Sequence, residues 1–389
     1  MAKNITVGID IGSHTVKVVV AENRKGAYRG FPVVLGTGTA ESKGFRHGYI
    51  INSSDVIRAV KIAVATAEKS AGVRVRRGYV SIGGISLEGL RSRGEAVVTR
   101  ADRVVTDLDV NQALKDAENK LGQKLLNRRI VHVIPISYHI DGELVLGKPT
   151  EMRGSKLEAD TLFIVCLEQH INDLIEAIEE AGVSVEDVMA APLAESFVTL
   201  EKRQKMVGCV LADMGAETVS IVVFENNVPV SLKVFPIGST DITNDIALGL
   251  KISLDEAERI KLGAITATSY SRKRLEEIMN ARLSDIFDLI EDHLKKIGRN
   301  GLLPAGIVLT GGGSVIGGVS DLARSSLKLP AKAATIHFNT ENKGQLKDPS
   351  WAVAYGLCIF GASAEGEGSG IRVKEAQNTI MSWFKQFLP

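Results

Sequence analysis

Two aspartates, Asp10 and Asp213, each end an apolar run and stand two residues ahead of a glycine. The stretches are D-I-G-S-H-T-V-K-V-V-V-A-E-N over residues 10–23 and D-M-G-A-E-T-V-S-I-V-V-F-E-N over 213–226. Gly12 and Gly215 let the backbone come close to a ligand and expose N–H groups, which is how a turn cradles phosphate. A carboxylate just before such a turn can hold a hydrated Mg²⁺. One Asp-x-Gly by itself is most simply a β-turn. Here eight of the fourteen aligned positions are identical, and two matched copies half a chain apart argue for an internal duplication. Each copy reads as strand, tight turn, strand, and two such hairpins face to face would clamp the phosphates of one nucleotide.

A third stretch, I-V-L-T-G-G-G-S over 307–314, is an apolar strand run ending in Gly311, Gly312 and Gly313, with a helix expected over 315–327. A strand, a glycine turn and a helix N-terminus allow close approach to a nucleotide. The three pieces in this order resemble the actin/Hsp70/hexokinase ATPase superfamily: first phosphate loop, second phosphate loop, adenosine loop. The resemblance implies an α/β, actin-like (ribonuclease H-like) duplicated fold.

Composition fits that expectation. The chain has 389 residues, 44% hydrophobic and 24% charged, enough for more than one domain. A net charge of +1 gives no support to a broad nucleic-acid surface. Cys166, Cys209 and Cys358 lie far apart in apolar runs and read as buried free thiols of a reducing compartment. No signal peptide and no membrane-spanning stretch are read.

The elements that must position the motifs follow in order. A third strand is expected over 31–37, then a helix capped by Ser54 with Val56, Val60, Ala63, Val64 and Ala67 inward, ended by Gly72. A strand over 78–82 leads to a junction at Gly83-Gly84. Residues 91–158 change character and read as a small α+β insertion, with a helix over 107–121 boxed by Thr106 and Asp109 and a strand over 130–134. Its G-E-L-V-L-G-K-P, 142–149, has Walker spacing, but Pro149 stands where the Mg²⁺-binding hydroxyl belongs. A strand over 162–166, a helix over 168–181 and a linking helix from A-A-P-L-A-E-S (190–196) complete the first half. E-K-R-Q-K, 201–205, reads as solvated surface. The second half repeats the hairpin and adds a strand over 228–235 and a turn at Gly238. A helix over 255–261 sets Glu258 and Lys261 three apart. By sequence alone that pair is equally a surface ion pair. A long helix over 272–297 and a last helix over 349–362 follow. The expected division is 1–83 with 162–200 and 348–362, an insertion 84–161, 201–240 with 301–347, and a separate unit 241–300. A linker spans 363–370, and an amphipathic helix 371–389 carries Ile380, Trp383, Phe384, Phe387 and Leu388 on one apolar face, with a mildly basic balance suited to a membrane interface.

Within the superfamily the chain resembles FtsA, the bacterial division protein related to actin. The residues that carry this are D-I-G-S at Asp10, S-R-G at Ser92, T-D-L-D-V at Thr106, H-V-I-P at His132, the hairpin at Asp213, I-T-N-D-I-A-L-G-L at Ile242, D-P-S-W-A-V-A-Y-G at Asp348 and the C-terminal amphipathic segment. The resemblance implies ATP and Mg²⁺ as ligands. Gly12 and Ser13 would contact phosphate and Lys17 neutralise it. Asp10 and Asp213 would organise the metal, and Gly215 and Thr218 would form the second clamp. Gly238 would lie by the nucleotide, Glu258 and Lys261 at the ribose, and the three glycines at adenosine. Lys17 also has a reading as an outward strand lysine, and His14 is given no role. The resemblance further implies a peripheral protein on the cytoplasmic side of the membrane at the division site. It would polymerise with itself, contact lipids and other division proteins, and dock the C-terminal peptide of FtsZ. The last would fall within 239–300, where Arg272, Lys273, Arg274 and Arg282 suit an acidic peptide. Hydrolysing relatives place a Glu or Gln at the start of the linking helix. Here Ala191 precedes Pro192 and the nearest acid is Glu195, so weak or absent hydrolysis is expected. A PilM-like pilus scaffold and a small-molecule kinase of the same fold are the alternatives.

Overall fold

The computed structural model describes residues 4–24, 31–264, 270–337, 346 and 348–366. The segment with Ile380, Trp383, Phe384, Phe387 and Leu388, expected as an amphipathic helix, lies outside the described residues.

Two five-stranded sheets share one strand plan. The first half contributes β1 (Ile5–Ile11), β2 (Thr15–Glu22) and β3 (Val33–Glu41), followed by the short hairpin β4 (Phe45–Arg46) and β5 (Tyr49–Ile50) and helix α1 (Ser53–Ala71). β6 (Arg77–Ile82) then joins β1 in parallel. Asn52, not Ser54, caps α1. Its side chain accepts from the Asp55 N–H at 3.3 Å, so the helix starts earlier than read, and Gly72 ends it in the left-handed region at φ 68°.

An insertion follows. β7 (Glu88–Val97), α2 (Asp107–Asn119), β8 (Arg128–Ile140), β9 (Glu143–Val145) and β10 (Lys156–Leu167) form a four-stranded antiparallel sheet, order β7-β10-β8-β9. α2 packs on it where Gly94 leaves room for Ala113 and Ala117. β8 and β10 are far longer than the apolar runs 130–134 and 162–166. Polar residues such as Ser137 and Asp160 continue the pairing and hide it from a hydrophobicity pattern.

The chain re-enters the first half through α3 (Glu168–Glu180) and β11 (Ser184–Ala190), giving the order β11-β6-β1-β2-β3. The linking helix α4 (Ala191–Thr199) and the short α5 (Lys202–Val207) lead into β12 (Cys209–Met214), β13 (Val219–Glu225) and β14 (Val228–Phe235). Then come α6 (Ser239–Leu250), α7 (Leu254–Lys261), α8 (Arg272–Lys296), β15 (Ile307–Thr310), α9 (Val319–Leu327), β16 (Ala331–Ala333) and α10 (Ala352–Gly366). The second sheet runs β14-β13-β12-β15-β16, the first sheet's plan repeated. The helix expected over 315–327 starts only at Val319, because Gly312 and Gly313 open a 3₁₀ turn, Gly312–Val315, first. The last helix extends to Gly366, so 363–366 are helical rather than linker.

The halves share a core. Val222, Phe224, Leu232 and Val308 of the second half pack in one cluster with Ile82, Leu87, Leu193 and Ala194 of the first. One expectation fails here. Lys205, in the stretch read as solvated, is 6% exposed, bonds Ser196 Oγ at 3.2 Å and lies 5.0 Å from the centre of the Phe224 ring. A single lysine on a charged stretch can turn inward when aromatic faces receive its ammonium.

Candidate functional site

The paired hairpins close identically. Gly12 N–H donates to Thr15 O at 3.1 Å, and Gly215 N–H to Thr218 O at 2.9 Å. Antiparallel register sets Lys17 opposite Asp10, but Ser220 opposite Asp213. Lys17 Nζ donates to Thr15 Oγ1 at 2.9 Å, beside the turn. Ser81 Oγ, from the end of β6, donates to Asp10 Oδ1 at 2.7 Å.

The two aspartates come within electrostatic reach of each other across the joint between the halves. Burial pushes Asp10 up, against the pull of Lys17 and the Ser81 bond. Burial first and the Asp10 charge second push Asp213 up, with Lys17 alone opposing. A buried carboxylate pair short of positive charge is what a divalent cation would relieve. No group of three or more His, Cys, Asp or Glu side chains is close enough to hold a metal by itself among the described residues.

Other elements lie on the second hairpin. A Cβ on Gly311, whose φ is 75°, would strike Asp213 Oδ1 and the Met214 backbone, so the glycine run is pressed against the hairpin. A Cβ on Gly238 would meet the Ala216 carbonyl. From there Ser239 and Thr240 donate backbone N–H groups to Gly215 O and Ala216 O at 2.9 and 2.8 Å. The N-terminus of α6 therefore abuts the Gly215 turn. Glu258 and Lys261 are joined at 2.7 Å, with the Lys261 side chain 4% exposed. Lys261 also donates to Thr243 Oγ1 at 2.9 Å and Ser239 O at 3.1 Å. Burial raises Glu258, but the bonds from Lys261 and Thr243 outweigh it and hold the carboxyl low, with His14 adding attraction across from the first phosphate turn. The pair is thus built into the wall that faces the first hairpin, not a loose surface contact.

The structure brings Asp10, Gly12, Lys17, Asp213, Gly215, Thr218, Gly238, Glu258, Lys261 and Gly311–313 around one joint. Two acids there, Glu195 and Glu217, have no role assigned from sequence. Glu195, on α4, is buried. It accepts from Thr310 Oγ1 at 2.6 Å and is pushed well up by burial and then by Asp213. Glu217, in the second glycine turn, reaches into the first half. His47 N–H donates to its Oε2 at 2.6 Å, and Arg46 Nε lies 3.6 Å from its Oε1. Only a partner 170 residues away gives Glu217 meaning, so no local signal marks it. The basic set on α8 divides. Arg272, Lys273 and Arg274 are exposed at the helix start, whereas Arg282 grips Asp245 of α6 through two bonds of 2.7 and 3.1 Å.

Comparison with known proteins adds a family to this geometry. The family model described as Cell division protein FtsA matches residues 210–356, and that of the SHS2 domain inserted in FTSA matches 84–165. Cell division protein FtsA of Borreliella burgdorferi is 30% identical over 384 residues, covering 92% of this chain and 91% of that protein. The chain belongs to the FtsA family. FtsA of Pseudomonas aeruginosa is 27% identical over 388 residues, with 94% and 91% covered. Among solved structures, the PilM-PilN type IV pilus biogenesis complex aligns with TM-score 0.69 at 17% identity over 92% of this chain and 98% of that one. MreB5 of Spiroplasma citri bound to ADP aligns with TM-score 0.53 at 12% over 92% and 96%. At such identities these likenesses speak for the fold, which is actin-like and carries the inserted domain of the FtsA family between β6 and α3. Among the described residues no helix is long and apolar enough to cross a membrane.

Proposed function

We propose that this FtsA-family chain binds ATP with Mg²⁺ between its two phosphate hairpins, polymerises on the inner face of the cytoplasmic membrane and tethers FtsZ filaments there. The observation that carries the nucleotide reading is the convergence of Asp10 and Asp213, each beside a matching glycine turn, at one buried joint. Gly12, Ser13, Gly215 and Thr218 would line the phosphates, Lys17 would balance their charge, and the two aspartates would hold the metal. Glu258 and Lys261 would face the ribose, and Gly311–313 would pass under adenosine. Asp10 and Asp213 would hold Mg²⁺, which would supply the positive charge this carboxylate pair lacks. Hydrolysis is weak in this reading. Ala191 opens the linking helix where an acid would orient water, and Glu195 is tied to Thr310.

The FtsZ reading rests on family membership and on the exposed Arg272, Lys273 and Arg274, suited to an acidic C-terminal peptide. Arg282, proposed for the same contact set, is bonded to Asp245 and also braces α6 against α8, as Arg274 is paired with Glu277 on its own helix. The membrane reading rests on the apolar face of Ile380, Trp383, Phe384, Phe387 and Leu388.

Asp10→Ala should weaken Mg-ATP far more than metal-free ATP in calorimetric titration. Equal loss of both would mean unfolding, and no loss would remove the clamp. The TM-score of 0.69 to the PilM-PilN complex favours a pilus scaffold as the second reading. Binding of an FtsZ C-terminal peptide, abolished by charge reversal at Arg272, Lys273 and Arg274 together, decides between the two.

A further inference from the structure

The place where the chain leaves its last described helix carries a proposal. α10 runs antiparallel to β1. A Cβ on Gly8 would meet Ala354 and Leu357, while Cys358 lies one turn on, against Thr6 O. Next along the helix, Phe360 packs edge-on to Tyr79 with ring centres 5.6 Å apart, and Gly361 touches the same ring. β6 lies parallel to β1 with Tyr79 beside Gly8, so Arg77 is level with Thr6. From Gly361 to Gly366 the helix advances about 7 Å further. It therefore delivers the chain to the edge of the sheet where β1 and β6 begin, the edge formed by the turn between α1 and β6.

That turn is basic. Lys69, in the last turn of α1, and Arg74 and Arg76, in the turn itself, are exposed, and none of the three is in an ion pair among the described residues. The acids beside them are engaged. Glu68 accepts the Val75 N–H at 2.7 Å, and Glu186 pairs with Arg77 at 3.3 Å. Glu179 and Glu180 end α3, which packs beside α1 on the sheet face opposite α10.

We propose that Lys69, Arg74 and Arg76 form a second membrane contact that lies on anionic lipid headgroups while the C-terminal segment is in the bilayer. The proposal rests on the membrane reading above and adds to it a surface of the folded body. One short amphipathic segment holds a protein only reversibly, and stable attachment takes a second signal. Cations within a Debye length of an anionic surface supply one. The contact also orients the molecule. The start of β1 faces the lipid, and its other end, the Gly12 turn, carries the nucleotide joint away from it.

The test is co-sedimentation of the full chain with vesicles of phosphatidylcholine alone, or with added phosphatidylglycerol. The wild type should prefer the anionic vesicles. The double variant R74Q/R76Q, both substitutions being at exposed sites, should bind anionic vesicles about 25-fold more weakly, roughly fivefold per charge. Its binding to neutral vesicles should not change. The control K124Q/K148Q, an equal loss of charge at exposed residues of the insertion, should bind as wild type. Trp383→Glu should release both vesicle types. If R74Q/R76Q keeps the wild-type preference while Trp383→Glu lets go, the patch is overturned and the tail reading stands. If the control loses as much as the double variant, placement is irrelevant and the patch is again overturned. A wild type that binds neither vesicle overturns the tail reading and the patch with it.

Discussion

The two Asp-x-Gly hairpins share a backbone and differ in side chains, and the difference divides their labour. The first sets Lys17 across from its aspartate and leaves Ser13 and His14 at the joint. The second sets Ser220 across from Asp213, and its turn carries Ala216 and Glu217. One lysine therefore serves two buried carboxylates, and Asp213 is the less compensated of them. The second turn is instead fastened to the rest of the molecule by Glu217 on His47, by the N-terminus of α6 and by the glycines at 311–313. The first hairpin brings charge, and the second is the one built into the joint. Duplication preserves what the turn needs, a glycine and a closing N–H bond. Much of the strand that follows is kept as well, while the turn residues Ser13/Ala216 and His14/Glu217 and the pair Lys17/Ser220 diverge.

The strongest way to break this comparison is Asp213→Asn. Mg-ATP affinity should fall roughly 10–100-fold, while the ligand-free protein gains stability at neutral pH. The sign follows from burial and the Asp10 charge, which push Asp213 up from 3.8 to about 7. Its stabilising contribution is complete below about pH 4 and is lost as pH rises towards about 7. Urea unfolding across that window should show a slope in the wild type that Asp213→Asn flattens. An unchanged slope would mean that Asp213 is not the group under strain. Lys205→Met probes the joint from its other side. Burial lowers the Lys205 ammonium from 10.5 to about 7. Between those values the unfolded chain binds the proton and the folded one does not, so wild-type stability rises with pH there. The Met variant should lose that rise and gain about 1–3 kcal/mol near pH 7, read by chemical denaturation.

Lys17→Met should weaken ATP about tenfold through one lost charge-assisted contact, whereas Ser220→Ala, at the matching position, should change it less than twofold. Equal effects would erase the division of labour. Glu217→Gln should cost about 1–2 kcal/mol of stability by weakening the hold on His47. His14→Ala, its counterpart in the first turn, should stay within about 0.5 kcal/mol. If His14→Ala proves the costlier of the two, the assignment of fastening to the second turn is reversed.

Much of this was legible because the signals are local. A glycine that closes a tight turn, an aspartate at a strand end, a capping box at Thr106 and Asp109, and a Gly72 that ends a helix all act within a few residues of themselves. The repeat of 10–23 at 213–226 made the duplication readable, and the strands of the insertion were caught wherever their apolar centres were dense. Their polar continuations were not, because pairing across a sheet is not written into one strand. α1 is capped two residues earlier than the sequence predicts, because Asn52 and Ser54 are both good caps and only the fold chooses.

Architecture was therefore determined largely by the sequence itself: two carboxylates beside two matching glycine turns, a glycine run and an insertion. The tertiary structure alone decided which charges face which. Lys205 is indistinguishable in sequence from its solvated neighbours until Phe197 and Phe224 close over it. Arg282 looks like one more exposed cation until Asp245, 37 residues away, takes it. Glu195 and Thr310, 115 residues apart, become partners only when the halves meet. The reason is physical: a turn or a cap is stabilised by neighbours along the chain. The ionisation and exposure of a side chain depend instead on everything within a few ångströms in space, and folding draws that neighbourhood from the whole chain.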